Sequence, residues 1–142
     1  MKKTTFLKLG ALALLCAGLF TACKKDKKKE ESNSQKIIGT WKLDFRADDL
    51  NANGSLDESE KDYPGAGEFE IVTFKSDGTL SDSVSFGGVG IAIPGTWSIN
   101  GDQFVITVMG STDTGTVVQL DATRLTVKDH ETPTSWASYL KQ

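Results

Sequence analysis

From Ile37 to the carboxyl end, apolar residues recur at every second position and not at every third or fourth, the pattern of strands that bury one face. Trp41, Leu43 and Phe45 share one parity. Ile91, Ile93, Trp97 and Ile99 form a second run, Phe104, Ile106 and Val108 a third, and Leu125 and Val127 a fourth. Turn-forming residues separate them: Ser76-Asp77-Gly78-Thr79, Gly87-Gly88, Asn100-Gly101-Asp102, Gly110 to Gly115, and Asp121-Ala122-Thr123. Asn100-Gly101 predicts a type I′ hairpin turn, whose two central residues both need positive φ. The pattern predicts eight strands, at 39–47, 68–75, 79–86, 90–100, 103–109, 115–120, 124–129 and 135–140. Eight strands joined by short turns imply an all-β, antiparallel, up-and-down barrel, since closure removes the exposed edges an open sheet would leave.

The amino end follows another pattern. Lys2, Lys3 and Lys8 precede an uncharged run from Leu9 to Ala22, the basic and apolar parts of a secretory signal. The run is shorter than the roughly 20 apolar residues a span requires. It stops at Cys23 after Leu19-Phe20-Thr21-Ala22, which resembles the lipobox of bacterial lipoproteins; Cys16 follows the bulky Leu14-Leu15 and is not the candidate. Residues 1–22 are therefore expected to be a lipoprotein signal peptide, with Cys23 carrying the lipid that holds the chain to a membrane. Residues 23–36 contain six Lys, three acids and no apolar residue after Cys23, so they are expected to form a flexible, disordered tether.

Composition narrows the function. The chain has 142 residues, 38% hydrophobic and 25% charged, which suits one small globular domain and excludes a polytopic membrane protein. It has two Cys, one of them within the signal, and one His, His130. Zinc sets and thiol or imidazole mechanisms thus have almost no material. Residues 37–142 hold seven basic and sixteen acidic side chains, a balance that argues against nucleic acid as partner, because phosphate binding needs clustered Lys and Arg.

Four motifs stand in order: Ile37-Ile38-Gly39-Thr40-Trp41-Lys42-Leu43, Phe74-Lys75-Ser76-Asp77-Gly78-Thr79, Gly95-Thr96-Trp97-Ser98-Ile99-Asn100-Gly101-Asp102, and Leu120-Asp121-Ala122-Thr123-Arg124-Leu125-Thr126-Val127. Together they resemble the lipocalin-like domain lipoproteins of Bacteroidetes. The resemblance implies that residues 37–142 form a calycin-type barrel tethered in the cell envelope, at the outer membrane on its periplasmic or surface face. It also implies that Gly39 and Trp41 form the Gly-x-Trp motif of the barrel floor, with a late basic residue covering the Trp ring. Arg124 is the residue expected to do so.

The first connection, 48–64, is long and polar. From Asp49 it fits the twelve-position EF-hand loop: Asp49, Asn51 and Asn53 at one, three and five, Gly54 at six, Ser55 at seven, Leu56 at eight, Asp57 at nine and Glu60 at twelve. A hard cation needs six to eight oxygens, so alternate side chains converge, Gly54 permits the sharp turn, the Ser55 carbonyl contributes, and Glu60 closes the site. Calcium is the expected cofactor, bound weakly, on the order of 10⁻⁴ to 10⁻³ M as in extracellular modules. The flanks do not match an EF-hand, since 39–47 alternates like a strand. An Asx-rich turn with no metal is the competing reading.

Two function classes remain. One is a lipid-anchored binding barrel holding a small apolar ligand; the stretch 84–93 is apolar and Gly-rich, as a ligand-facing flap would be. The other is an envelope barrel that engages or inhibits a protein partner, for which the acidic surface would suit a basic enzyme of the lysozyme kind. An enzyme is not expected. His130 lies between Asp129 and Glu131 in a polar stretch, no Gly-x-Ser-x-Gly occurs, and the pair Glu68 and Glu70 reads as charged barrel surface.

Overall fold

The computed structural model describes residues 31–142, and at Phe86 the backbone only. The signal peptide, Cys23 and most of the tether lie outside the described residues. Nine strands run in chain order: β1 (Gly39–Asp48), β2 (Lys61–Asp62), β3 (Phe69–Phe74), β4 (Thr79–Phe86), β5 (Val89–Asn100), β6 (Gln103–Val108), β7 (Ser111–Leu120), β8 (Arg124–Asp129) and β9 (Ser135–Lys141). From β3 to β9 each strand pairs antiparallel with the next, and β1 pairs with both β3 and β9. The sheet is therefore an eight-stranded up-and-down barrel, as the alternation predicted. The two-residue β2 is extra, a short ribbon against Arg46 and Ala47. Among the described residues no helix is long and apolar enough to cross a membrane.

Local chemistry accounts for most of the turns. Gly87 and Gly88 both have positive φ, as do Met109 and Gly110, so these two-residue loops have the twist that tight hairpins require. Strand β7 consequently begins at Ser111, four residues before the expected start at Gly115. The hairpin between β5 and β6 also differs from expectation. Asn100 pairs with Gln103, so the turn residues are Gly101 and Asp102. Only Gly101 has positive φ, the arrangement of a type II′ turn with Gly first.

A bulge at Asp44 divides β1. Against β9, Leu43 pairs with Tyr139 and Phe45 with Ser138, so two residues on β1 advance the register by one, and side chains beyond Asp44 change face. Trp41 and Leu43 point inward. Phe45 and Ala47, of the same sequence parity, point outward and bury themselves with Trp136 under Leu56 of the first connection. Arg46 and Asp48 thereby come to face the barrel interior.

The amino-terminal tether also differs from expectation. Its last residues, Asn33–Lys36, form one helical turn. The Asn33 side-chain amide donates to the Gly101 carbonyl at 2.8 Å, which docks the turn on the β5–β6 hairpin.

Candidate ligand site and first-connection loop

The floor is built from the amino end of β1 outward. Trp41 is 0% exposed, and its indole N–H donates to the Ile37 carbonyl at 2.6 Å. Val72, Phe74, Leu80, Phe104 and Leu125 surround it, with Phe74 edge-on to Trp97 and to Phe104 at centroid distances of 5.6 and 5.9 Å. The cation over the Trp41 ring is Lys141, its Nζ 4.6 Å from the centroid, and not Arg124. Alternation explains the difference. Leu125 is buried within the barrel, so its neighbour Arg124 points outward, where it donates to Asp44 and to Ser138, each at 2.7 Å. Arg124 thus ties the β1 bulge to β9. Lys141 pairs directly with Trp41 in the register and also donates to the Ile38 and Lys36 carbonyls. Gly39 has φ +131°, and a Cβ there would lie 3.0 Å from Lys141 Cε, so the glycine of the motif makes room for the covering lysine.

The other end is open and polar. A cavity of about 330 Å³ is lined by Arg46, Asp48, Phe104, Asp113, Asp129 and Tyr139, among others. On the far side of Arg46 a second recess of about 300 Å³ runs between β1 and β3, where β2 and the segment after it replace direct pairing. Glu70 faces the interior and is 7% exposed, contrary to the surface position its charge suggested. Both its oxygens are satisfied, one by Arg46 and the other by the Tyr139 hydroxyl at 2.7 Å. Burial, reinforced by Glu70, pushes the Tyr139 phenol well above its ordinary pKa. Asp82 shares this interior face, and its Oδ1 is buried with no hydrogen-bond partner. Burial and the neighbouring Glu70 raise its pKa to about 6, with Arg46 opposing them.

The signal for these interior charges was present in the sequence as parity. Glu70 shares parity with Val72 and Phe74, Asp82 with Leu80 and Val84, and Asp129 with Leu125 and Val127. Polar residues on an apolar parity mark the part of a strand that lines an open cavity.

The first connection is folded and held by its own side chains. Asp49, 7% exposed, accepts from the backbone N–H groups of Asn53 and Gly54. Asn51 and Asn53 accept from the N–H groups of Asn53 and Ser55, and both side-chain amides donate to Asp57 Oδ2 at 2.8 Å. Glu60 Oε1 accepts from the N–H groups of Leu50 and Asn51, while its Oε2 is buried and unpartnered. Gly54 has φ +74°, Leu56 packs on the outer cluster, and Glu58–Glu60 form a 3₁₀ turn. The structure brings the six loop residues together around one turn. Among the described residues, however, no three His, Cys, Asp or Glu side chains converge as a metal set, because Asp57 is directed to the two asparagines.

Two features suggestive of catalysis resolve into other roles. His130 is exposed and bonds to Thr116 Oγ1 at 2.8 Å. Ser138 and Lys141 have Ser-x-x-Lys spacing, but residues three apart on a strand face opposite ways. Ser138 bonds to Arg124 and Thr126, while Lys141 covers Trp41.

Comparison with known proteins agrees with this architecture. The family described as a lipocalin-like domain matches residues 37–127. A lipocalin-like protein of Bacteroides uniformis has a similar solved structure, with 15% identity, a TM-score of 0.57, and coverage of 75% of this chain and 99% of that one. A protein of Bacteroides eggerthii is similar at 12% identity and a TM-score of 0.53, with the same coverage. At these identities the likeness concerns the fold. No curated protein sequence matches the chain.

Proposed function

The chain belongs to the lipocalin-like domain family, and from that premise we propose that it is a lipid-anchored binding protein of the cell envelope that holds a small, largely apolar molecule in the mouth of its barrel. The observation that carries this reading is the cavity of about 330 Å³. It lies within the size range of small-molecule sites and mixes apolar walls with a few polar groups. The floor supplies rigidity, since the rings packed around Trp41 leave the other end to be shaped by side chains that need not fill a core. At the rim, Val89 and Ile91 are 66% and 55% exposed, apolar surface of the kind a ligand would cover.

The anchor in this reading is lipid on Cys23, and the first connection is a weak calcium site. Buried Asp49 at the base of the loop and the unpartnered Glu60 Oε2 are what support calcium, because a cation would satisfy an oxygen that the chain leaves without a donor. Asn51, Asn53, the Ser55 carbonyl and Asp57 would supply the other ligands.

Native mass spectrometry of the protein isolated from its own membranes tests the binding reading. A bound small molecule of defined mass is the expected result. Apoprotein alone, or a stoichiometric complex with a second protein, would favour the protein-partner function instead.

A further inference from the structure

Strand β5 outruns one of its neighbours. It pairs with β4 from Val89 to Thr96, but with β6 only from Gly95 onward, because β6 ends at Val108 and the chain turns at Met109 and Gly110. Residues 89–94 therefore form a sheet edge that no strand among the described residues covers. Alternation decides which groups lie along it. The Trp97 N–H donates to the Gly78 carbonyl on the β4 side, and in an antiparallel ladder every second residue repeats that direction. Val89, Ile91 and Ile93 thus bond to β4, while Gly90 and Ala92 aim N–H and C=O at the free edge, where the Pro94 carbonyl joins them. All of these residues except Ile93 are exposed. Free edges are ordinarily blunted by charged side chains. This one has none: no charged residue stands between Asp82 and Asp102, although residues 37–142 hold sixteen acidic and seven basic side chains.

We propose that this edge is a self-association surface, on which β5 of one copy pairs antiparallel with β5 of a second copy about a two-fold axis at Ile91. A row of unpaired backbone donors and acceptors is complemented by another extended strand. The two-fold pairing satisfies both copies at once, with Gly90 of each exchanging backbone hydrogen bonds with Ala92 of the other. Ile91 then packs on its counterpart, and Val89 on Ile93 of the second copy, β-branched pairs that favour a ladder. Charge selects the same surface. Two copies meeting elsewhere on this acidic domain would set carboxylate against carboxylate, whereas along β5 they meet uncharged, apolar residues, Val89 and Ile91 being 66% and 55% exposed. Pro94 has no N–H to give, so the ladder stops before it reaches Met109. The paired segment is short, which makes the dimer weak and concentration-dependent. It forms whether or not the barrel holds a small molecule.

Disulfide trapping of the full chain in its own membranes is the test. Ile91→Cys places two thiols across the axis, at a separation a disulfide can bridge after a small adjustment. Under mild oxidation it is expected to form a covalent homodimer. Val118→Cys, a control on β7 that is 53% exposed in the native residue, should form none above the wild-type background. Two further changes are then added to Ile91→Cys. Ala92→Pro removes an N–H that faces the free edge and takes no bond from β4, and Val89→Lys puts a charge at an exposed position of the pairing. Each should slow the initial rate of disulfide formation about tenfold or more, with the melting temperature of each variant showing that the barrel remains folded. The proposal is overturned if Ile91→Cys forms no homodimer, if it links to a different chain instead, if Val118→Cys dimerises equally fast, or if the rate survives Val89→Lys in a folded barrel.

Discussion

At one end of the barrel Trp41 is sealed beneath Lys141 and bonded to Ile37; a few residues along the same strand, Arg46 and Asp48 line an open cavity. The amino half of β1 aims Trp41 and Leu43 into a packed core, and the bulge at Asp44 sends Phe45 and Ala47 outward and charged residues in. The neighbouring strands repeat the division without a bulge, as with Phe74 and Glu70 on β3 or Leu125 and Asp129 on β8. Stability is thereby concentrated at the floor and chemistry at the mouth, so substitutions at the two ends should separate the two properties.

The largest effect is expected at the floor. Trp41→Ala should cost about 3 to 5 kcal/mol in a denaturant titration, the range for a fully buried ring. Trp136 is also buried, at 5% exposed, but it lies in the small outer cluster with Phe45 and Ala47. Its replacement by Ala should cost less than that of Trp41, and an equal or larger loss would break the contrast between floor and periphery. Lys141→Met keeps much of the stem and removes the charge over the ring. A loss of about 0.5 to 2 kcal/mol is expected, whereas Arg124→Met should leave the Trp41 fluorescence environment unchanged.

Asp82 sharpens the comparison through pH. Its pKa is raised from 3.8 to about 6 by burial and by Glu70, with Arg46 acting the other way. The folded chain therefore holds this proton more tightly than the unfolded chain does. The stabilisation from this group is fully present below 3.8 and is lost as pH rises through about 6. Asp82→Asn should flatten that part of the curve of denaturation midpoint against pH, and an unchanged slope would assign the dependence to other groups.

The first connection should give a smaller effect. At ten times its dissociation constant, calcium would stabilise the folded chain by about 1.4 kcal/mol, with magnesium doing less. Glu60→Gln should remove the response without unfolding the barrel. A melting temperature unmoved by millimolar calcium or by chelator would leave the loop as a set of Asx turns. For the anchor, Cys23→Ala should move the protein out of the detergent phase in a partition assay; unchanged partitioning would eliminate lipid on that residue.

The barrel was legible because its two determinants are local. Period-two alternation and Gly-centred turns marked every barrel strand, and two strand ranges, 79–86 and 124–129, agree residue for residue. The features that escaped depend on pairing between distant strands. Nothing within 39–48 announces the bulge that turns Phe45 outward, since the register is set by Tyr139 and Ser138 on β9. Lys141 covers Trp41 because those two residues pair across β1 and β9, a relation that neither segment carries by itself. The acidic mouth is readable in part, through the parity of Glu70, Asp82 and Asp129, but a charge on a strand by itself points to surface, whereas Glu70 is buried. The residues of the twelve-position match in the first connection lie around one turn, with both asparagines engaged with Asp57.

Ala137 faces the cavity on β9 beside Tyr139 and Ser135, and a bulky side chain there would occupy the space assigned to ligand while leaving the floor untouched. Titration of wild type and Ala137→Trp with N-phenyl-1-naphthylamine, at matched thermal stability, therefore tests the site directly. Saturable dye binding by the wild type and its loss in the variant are predicted. Equal binding by both proteins would place the dye elsewhere and contradict a ligand site in the mouth of the barrel.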